Sequence, residues 1–174
     1  MLFVRFAGAL AALLLASGIA AAQGAKPTDP QIAHIAYTAG QLDIAAAEQA
    51  LQKSKNKDVI AFAQDMERDH KAVNDKALAL VKKLNVTPED NDTSKALTKQ
   101  ATDKRAELAK LSGTAFDKAY IDNEVAYHKT VNGALQNTLI PSATNAELKD
   151  LLTTGLKIFQ GHEQHAEHVA AEFK

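Results

Sequence analysis

A single histidine limits what this chain can fold into. Between Val59 and Leu84, the residues Val59, Ala63, Met66, His70, Val73, Ala77, Leu80 and Leu84 recur at helical spacing, so all eight share one face of a long helix. The other seven are apolar, which makes this the face that meets a core. An imidazole buried there without a partner costs about 1–3 kcal/mol. The fold must therefore bring another polar group to the same depth from a different segment.

Three further helical stretches carry the same kind of intrusion. From Asp29 to about Lys55, Ile32, Ile35, Ala36, Ala39, Leu42, Ala46 and Ala50 form a stripe that contains Asp43. From Thr114 to the Pro141-Ser142-Ala143 break, Ile121, Val131 and Leu135 share a stripe with Glu124 and His128, with Phe116, Tyr120 and Tyr127 beside it. From Thr144 onward, Leu148, Leu152, Gly155, Phe159, Ala166, Val169 and Phe173 surround His162. Local signals set the expected starts: Asp29 before Pro30, Asn56 before Lys57, Thr114 with Asp117, and Thr144 with Glu147. A shorter helix over 93–111 has few apolar positions and charges of both signs, so it should lie solvated along one side.

The chain shows no strand-like alternation and no glycine-rich phosphate loop. The expected class is all-α: two short-looped helix pairs joined by a long middle segment, a ferritin-like four-helix bundle with a crossover helix spanning 29–174. Counting heights supports that topology over plain up-down turns. His70 lies 13 residues after Lys57 and His128 lies 14 after Thr114, so parallel segments put them level, with Asp43 at a similar height on an antiparallel first helix.

The first 22 residues differ from the rest. Arg5 is followed by an uncharged apolar run from Phe6 to Ile19 and by Ala20-Ala21-Ala22, the layout of a secretory signal peptide, with 23–28 a flexible leader. The expected location is the periplasm, with no stable membrane span once the signal is removed. At 46% hydrophobic, 24% charged and net charge −1, the chain lacks the basic excess of a nucleic-acid binder. It has no cysteine, so it is neither lipid-anchored nor disulfide-stapled, and no activated nucleophile stands out. The reading leans away from catalysis.

Two readings of the polar residues stand. His70, His128 and His162, with Asp43 or Glu124 as oxygen donor, suit a transition-metal ion such as zinc, copper or iron inside a bundle. Alternatively the same residues form a metal-free network that fixes helix register. Glu67 precedes His70 at the spacing used in di-iron bundles, but Phe159 stands where a second such glutamate would precede His162. Asp117 reads as a cap, Tyr120 and Tyr127 as packing, Asp69 as an outer partner or a solvent-facing acid, and His34 as a surface residue. The run Gly161 to His168 reads as a solvated face, with surface metal capture as its alternative.

Gly40-x-x-Asp43, the stretch from Val59 to His70, Gly113-x-x-Phe116-Asp117-x-x-Tyr120-Ile121, His128 and the late His162 together resemble the bacterial domain-of-unknown-function 4142 family. The resemblance covers nearly the whole mature chain and implies export and a ferritin-like fold. It implies no reaction. Where the family usually has glutamate this chain has Asp43, and Thr154-Gly155 stands where the family commonly has Leu-Pro. The function expected is binding, of a metal ion or a small partner, with envelope stress as one setting. The alternatives are a metal-dependent oxidoreductase and a purely structural envelope protein.

Overall fold

The computed structural model describes residues 26–173, and every regular element among them is helical. The signal-peptide reading of 1–22 and the first part of the leader lie outside the described residues. Helices α1 (Asp29–Lys53) and α2 (Lys57–Lys83) are joined by three residues, which forces an antiparallel return. Asn56 makes that return by accepting the backbone N–H of Asp58 at 2.9 Å and of Val59 at 3.4 Å.

The next helix, α3 (Asp92–Ala109), decides the topology. At its start Asn91 Nδ2 donates to the Gln31 carbonyl at 3.4 Å, and the preceding Glu89 N–H donates to Pro30 at 3.0 Å. At its end Gln49 Nε2 donates to the Arg105 carbonyl at 3.0 Å and Lys53 Nζ to Ala109 at 2.8 Å. It therefore runs beside α1 in the same direction and carries the chain back to where α2 began. Helix α4 (Gly113–Ala134) then runs parallel to α2, continues through a π-helical turn (Leu135–Leu139) and a last short turn, α5 (Ile140–Ser142), and α6 (Ala146–Ala171) returns against it. Ser94 and Leu108 are the buried residues of α3, whose charges otherwise face water as expected. No described helix is long and apolar enough to cross a membrane.

Three helix starts differ from the sequence reading, two of them because neighbouring polar side chains take different partners. Thr28, not Asp29, caps α1, and its own N–H reaches Gln31 Oε1 at 3.1 Å. The Asp29 carboxylate is thereby free to accept from Thr144 N at 2.8 Å, Thr144 Oγ1 at 2.6 Å and Asn145 N at 2.8 Å, pinning the entry of α6 to the start of α1. With Thr144 so engaged, Asn145 caps α6 through Leu148 N at 3.0 Å. Ser112 rather than Thr114 precedes α4, and Asp117 turns inward instead of capping. The π turn was not legible beforehand. Pro141 has no N–H and its ring crowds the carbonyl four residues back, and the wider turn just before it, with Ile140 N–H on the Leu135 carbonyl, relieves that crowding.

Apolar side chains form two clusters. Ala46, Val59, Phe62, Met66, Tyr120 and Ala166 belong to one; Ile32, Ile35, Leu135, Leu139, Leu152 and Phe159 belong to the other. On each of α1, α2, α4 and α6 the polar intrusions fall between the two. The core is thus a sandwich along the helix axes, with a polar layer in the middle.

Gly40 sits at the edge of that layer. A Cβ there would lie 2.4 Å from Oδ1 and 2.9 Å from Cγ of Asn74, which is 4% exposed and has little room to yield. Gly40→Ala gains up to about 1 kcal/mol of helix propensity, but overpacking costs about 1–3 kcal/mol. A net destabilisation of about 1 kcal/mol is expected in urea denaturation. Adding Asn74→Ala should recover most of it, and an equal loss in both backgrounds would refute the steric account.

Candidate metal centre

The polar layer is built from one or two residues of each long helix. Asp43, His70, Glu124, His128 and His162 are each 6% exposed or less. Asp43 is at the middle: its Oδ2 lies 2.8 Å from His70 Nε2 and 3.4 Å from His128 Nε2. Ring nitrogens of His70, His128 and His162 lie within 4.8 Å of one another, and so do donor atoms of Asp43, Glu124 and His128. All five sequence candidates therefore meet in one place.

The outer nitrogens of two imidazoles are committed. His128 Nδ1 lies 3.0 Å from the Glu124 carbonyl, an acceptor only, so the proton is on Nδ1 and Nε2 carries the lone pair. His162 Nε2 lies 3.0 Å from Asp69 Oδ2, which likewise leaves the lone pair on Nδ1. Asp69 is itself held by Arg68, whose Nε and Nη2 donate to its two oxygens at 2.8 and 3.0 Å. Asp69 is thus the outer partner of a site histidine. The third imidazole, His70, is fixed by packing, stacked on Phe159 with ring centroids 4.5 Å apart and planes 5° apart.

The inward atoms are close but poorly aligned. His70 Nε2, His128 Nε2, His162 Nδ1 and both Asp43 oxygens have no protein hydrogen-bond partner of proper geometry, despite the 2.8 Å contact. Buried polar atoms left in this state are costly in a metal-free network. Donors at about 2.0–2.1 Å from one ion would stand about 2.8–3.4 Å apart in octahedral or tetrahedral geometry, and the two Asp43 contacts lie at the limits of that range. The Asp43 distances therefore suit two donors on one ion as well as they suit hydrogen bonds. Three imidazoles and carboxylate oxygen, with no thiolate, match zinc, copper(II) or iron(II).

A match to a known family spans the stretch that carries this layer: the family described as Domain of unknown function (DUF4142) matches residues 14–169. The chain belongs to that family. No curated protein matches it, and no solved structure does. Every residue of the DUF4142 polar layer, from Asp43 to His162, lies inside the matched stretch.

Charge in the layer is unevenly shared. Burial alone would raise the Asp43 carboxyl pKa, but the electrostatic pull of the close His70, with His128 adding, carries it below the ordinary carboxylate value. Burial and the neighbouring Asp43 charge push Glu124 well above its ordinary value. Asp43 is therefore the carboxyl that ionises more readily, and Glu124 the one that holds its proton to higher pH. Burial lowers His128, and it lowers His162 to about 4 against the opposing pull of Asp69. Imidazoles that resist protonation are suited to giving a lone pair to a cation.

Other polar residues divide differently from the sequence reading. Glu67 turns outward to Lys71 and takes no part in the layer. Asp117 is 6% exposed, with Oδ1 unpaired, and is no cap. His162 points inward, apart from the surface, while His165 packs edge-on against Phe62 with 5.2 Å between centroids and stays partly exposed beside Asp65. His34 is partly exposed near Asp90. Tyr127 does more than pack, since its hydroxyl donates to the Ala39 carbonyl at 2.8 Å. Asn132, one turn after His128, was missed; its Nδ2 donates to the Phe159 carbonyl at 3.2 Å and to Glu163 at 2.7 Å, tying α4 to α6 beside the layer. Its place on the His128 stripe was the available signal.

Proposed function

We propose that this DUF4142 protein is an exported, ferritin-like helical bundle that binds one transition-metal ion in its polar layer, in the periplasm. The ferritin-like reading rests on two antiparallel pairs, α1–α2 and α4–α6, joined by a long return through α3. One observation carries the metal reading: two imidazoles have their outer nitrogens committed to acceptors, so that their lone pairs are fixed on inward nitrogens beside an ionised carboxylate. His70, His128 and His162 would supply nitrogen, Asp43 oxygen, and Glu124 a reserve carboxyl. A metal-dependent oxidoreductase is the second reading, and no group in the layer beyond the ligands themselves argues for it.

Elemental analysis of untagged protein tests the proposal, with about one equivalent of metal expected. Asp69→Ala replaces no ligand yet removes the group that orients His162, and it should weaken metal affinity about 10–100-fold. Absence of stoichiometric metal after both reducing and oxidising preparation would leave the metal-free network as the account of the layer.

A further inference from the structure

The two apolar clusters are not packed alike. On the side of the layer that holds Ile35, Leu135 and Leu152, the helices enclose a cavity of about 540 Å³, within the range of small-molecule sites. Close-packed interiors leave few voids larger than a water molecule. The space arises because small residues, Ala36, Ala39, Ala77 and Gly155 among them, stand where larger side chains would fill it. The lower half of the His70 stripe, Val73 to Leu80, faces it and is only half-buried.

The ends of the cavity differ from its walls. Asp43, His70 and His128 close its inner end with buried polar atoms that lack aligned protein partners. The exposed Lys26, with Gln31, Asn91 and Asp92, stands at the other end, near the start of α1. Gln31 and Asp43 are 12 residues apart on α1, about 18 Å along the axis. A long apolar chamber with a charged floor does not suit a compact polar metabolite. Nor does it suit a chain that enters methyl end first, since a methyl group against the Asp43 carboxylate gains nothing.

We infer that the cavity binds a single-chain carboxylic acid of fatty-acid type, its alkyl chain along the apolar wall and its carboxylate directed at the ion held by His70, His128 and Asp43. This rests on the metal reading for what the head group meets. The wall itself supplies the chain with burial, and the cavity opens onto three of the proposed ligands while His162 lies behind them.

Delipidated full-length mature protein, loaded with zinc, is titrated with hexadecanoic acid by calorimetry and native mass spectrometry, alongside a chelator-treated sample. One equivalent of acid is expected to bind the zinc form, at least ten-fold more tightly than the chelated form. Ala77→Phe and, separately, Val131→Phe fill the cavity without touching a ligand, and each should abolish acid binding while keeping its zinc, which reports that the variant is folded. Zinc bound with no saturable acid binding overturns this inference and leaves the metal site standing. Equal acid affinity with and without zinc overturns the placement of the head group, and acid binding unchanged in both filled variants overturns the cavity as its site. A wild-type protein that takes up no zinc fails in the zinc assay alone and removes the metal reading together with this one.

Discussion

Replacing His70 with alanine is expected to destabilise the metal-free protein by at least about 1–3 kcal/mol, the usual consequence of leaving a buried polar group without its partner. Asp43 is 2% exposed, and His70 Nε2 at 2.8 Å is its nearest partner, with His128 Nε2 farther off at 3.4 Å. Without His70 the carboxylate is left with one weaker contact. The imidazole's stacking on Phe159 is lost as well. Against a typical total stability of about 5–15 kcal/mol this is a large share, and urea denaturation of chelated protein measures it. Adding Asp43→Asn removes the stranded charge and should restore part of the loss. If His70→Ala costs under about 1 kcal/mol, or if Asp43→Asn restores nothing, the charge of Asp43 is not what His70 balances. In untagged protein the same substitution should also remove stoichiometric metal.

Why these five residues were legible, and the space beside them was not, follows from what each depends on. A histidine or carboxylate inside an apolar stripe at helical spacing is visible in one dimension, and heights counted from helix starts place such residues level even when the starts are off by one or two. Those offsets occurred. Thr28 and Asn145 stand at caps that the sequence assigns to Asp29 and Thr144, since short polar residues in a row compete and the tertiary bond from Thr144 to Asp29 settles which wins; α4 starts after Ser112 rather than Thr114 with no side-chain cap at all. Asp69 could be read either as an outer partner or as a surface acid because it stands one residue before His70, off the stripe. Its choice depends on where α6 puts His162. The cavity depends on still finer distances: alanine and glycine on facing helices are equally consistent with close approach and with a void, and at Gly40 and Asn74 the helices do come close. The π turn before Pro141 is of the same kind, a local accommodation that no periodicity announces.

Acid is expected to weaken the chelated protein in two stages, the first set by the histidines. His162 falls from the ordinary 6.5 to about 4 on folding, chiefly by burial, and His128 is lowered for the same reason. Between those two values the unfolded chain holds the protons and the folded chain does not, so stability is fully present above pH 6.5 and is lost as pH falls toward 4. For His162 the full shift corresponds to about 3 kcal/mol at 1.36 kcal/mol per unit, with His128 adding in the same direction. Asp43 acts in a separate window: its folded pKa is depressed below 3.8, so its share is present above that value and lost only in stronger acid. Urea midpoints of chelated protein at pH 7.5, 6, 5 and 4.5 should fall steadily, and His162→Gln, which cannot titrate, should flatten the profile over that range. A wild-type profile that stays level from pH 7 to 4.5, or a His162→Gln profile of unchanged slope, would contradict the burial-driven shift. The His162 imidazole, lowered to about 4, with His128 lowered in the same direction, means that proton competition for a bound ion begins later than at an exposed histidine site. Metal retention in buffered chelator should therefore persist below pH 6, where exposed histidine clusters release theirs.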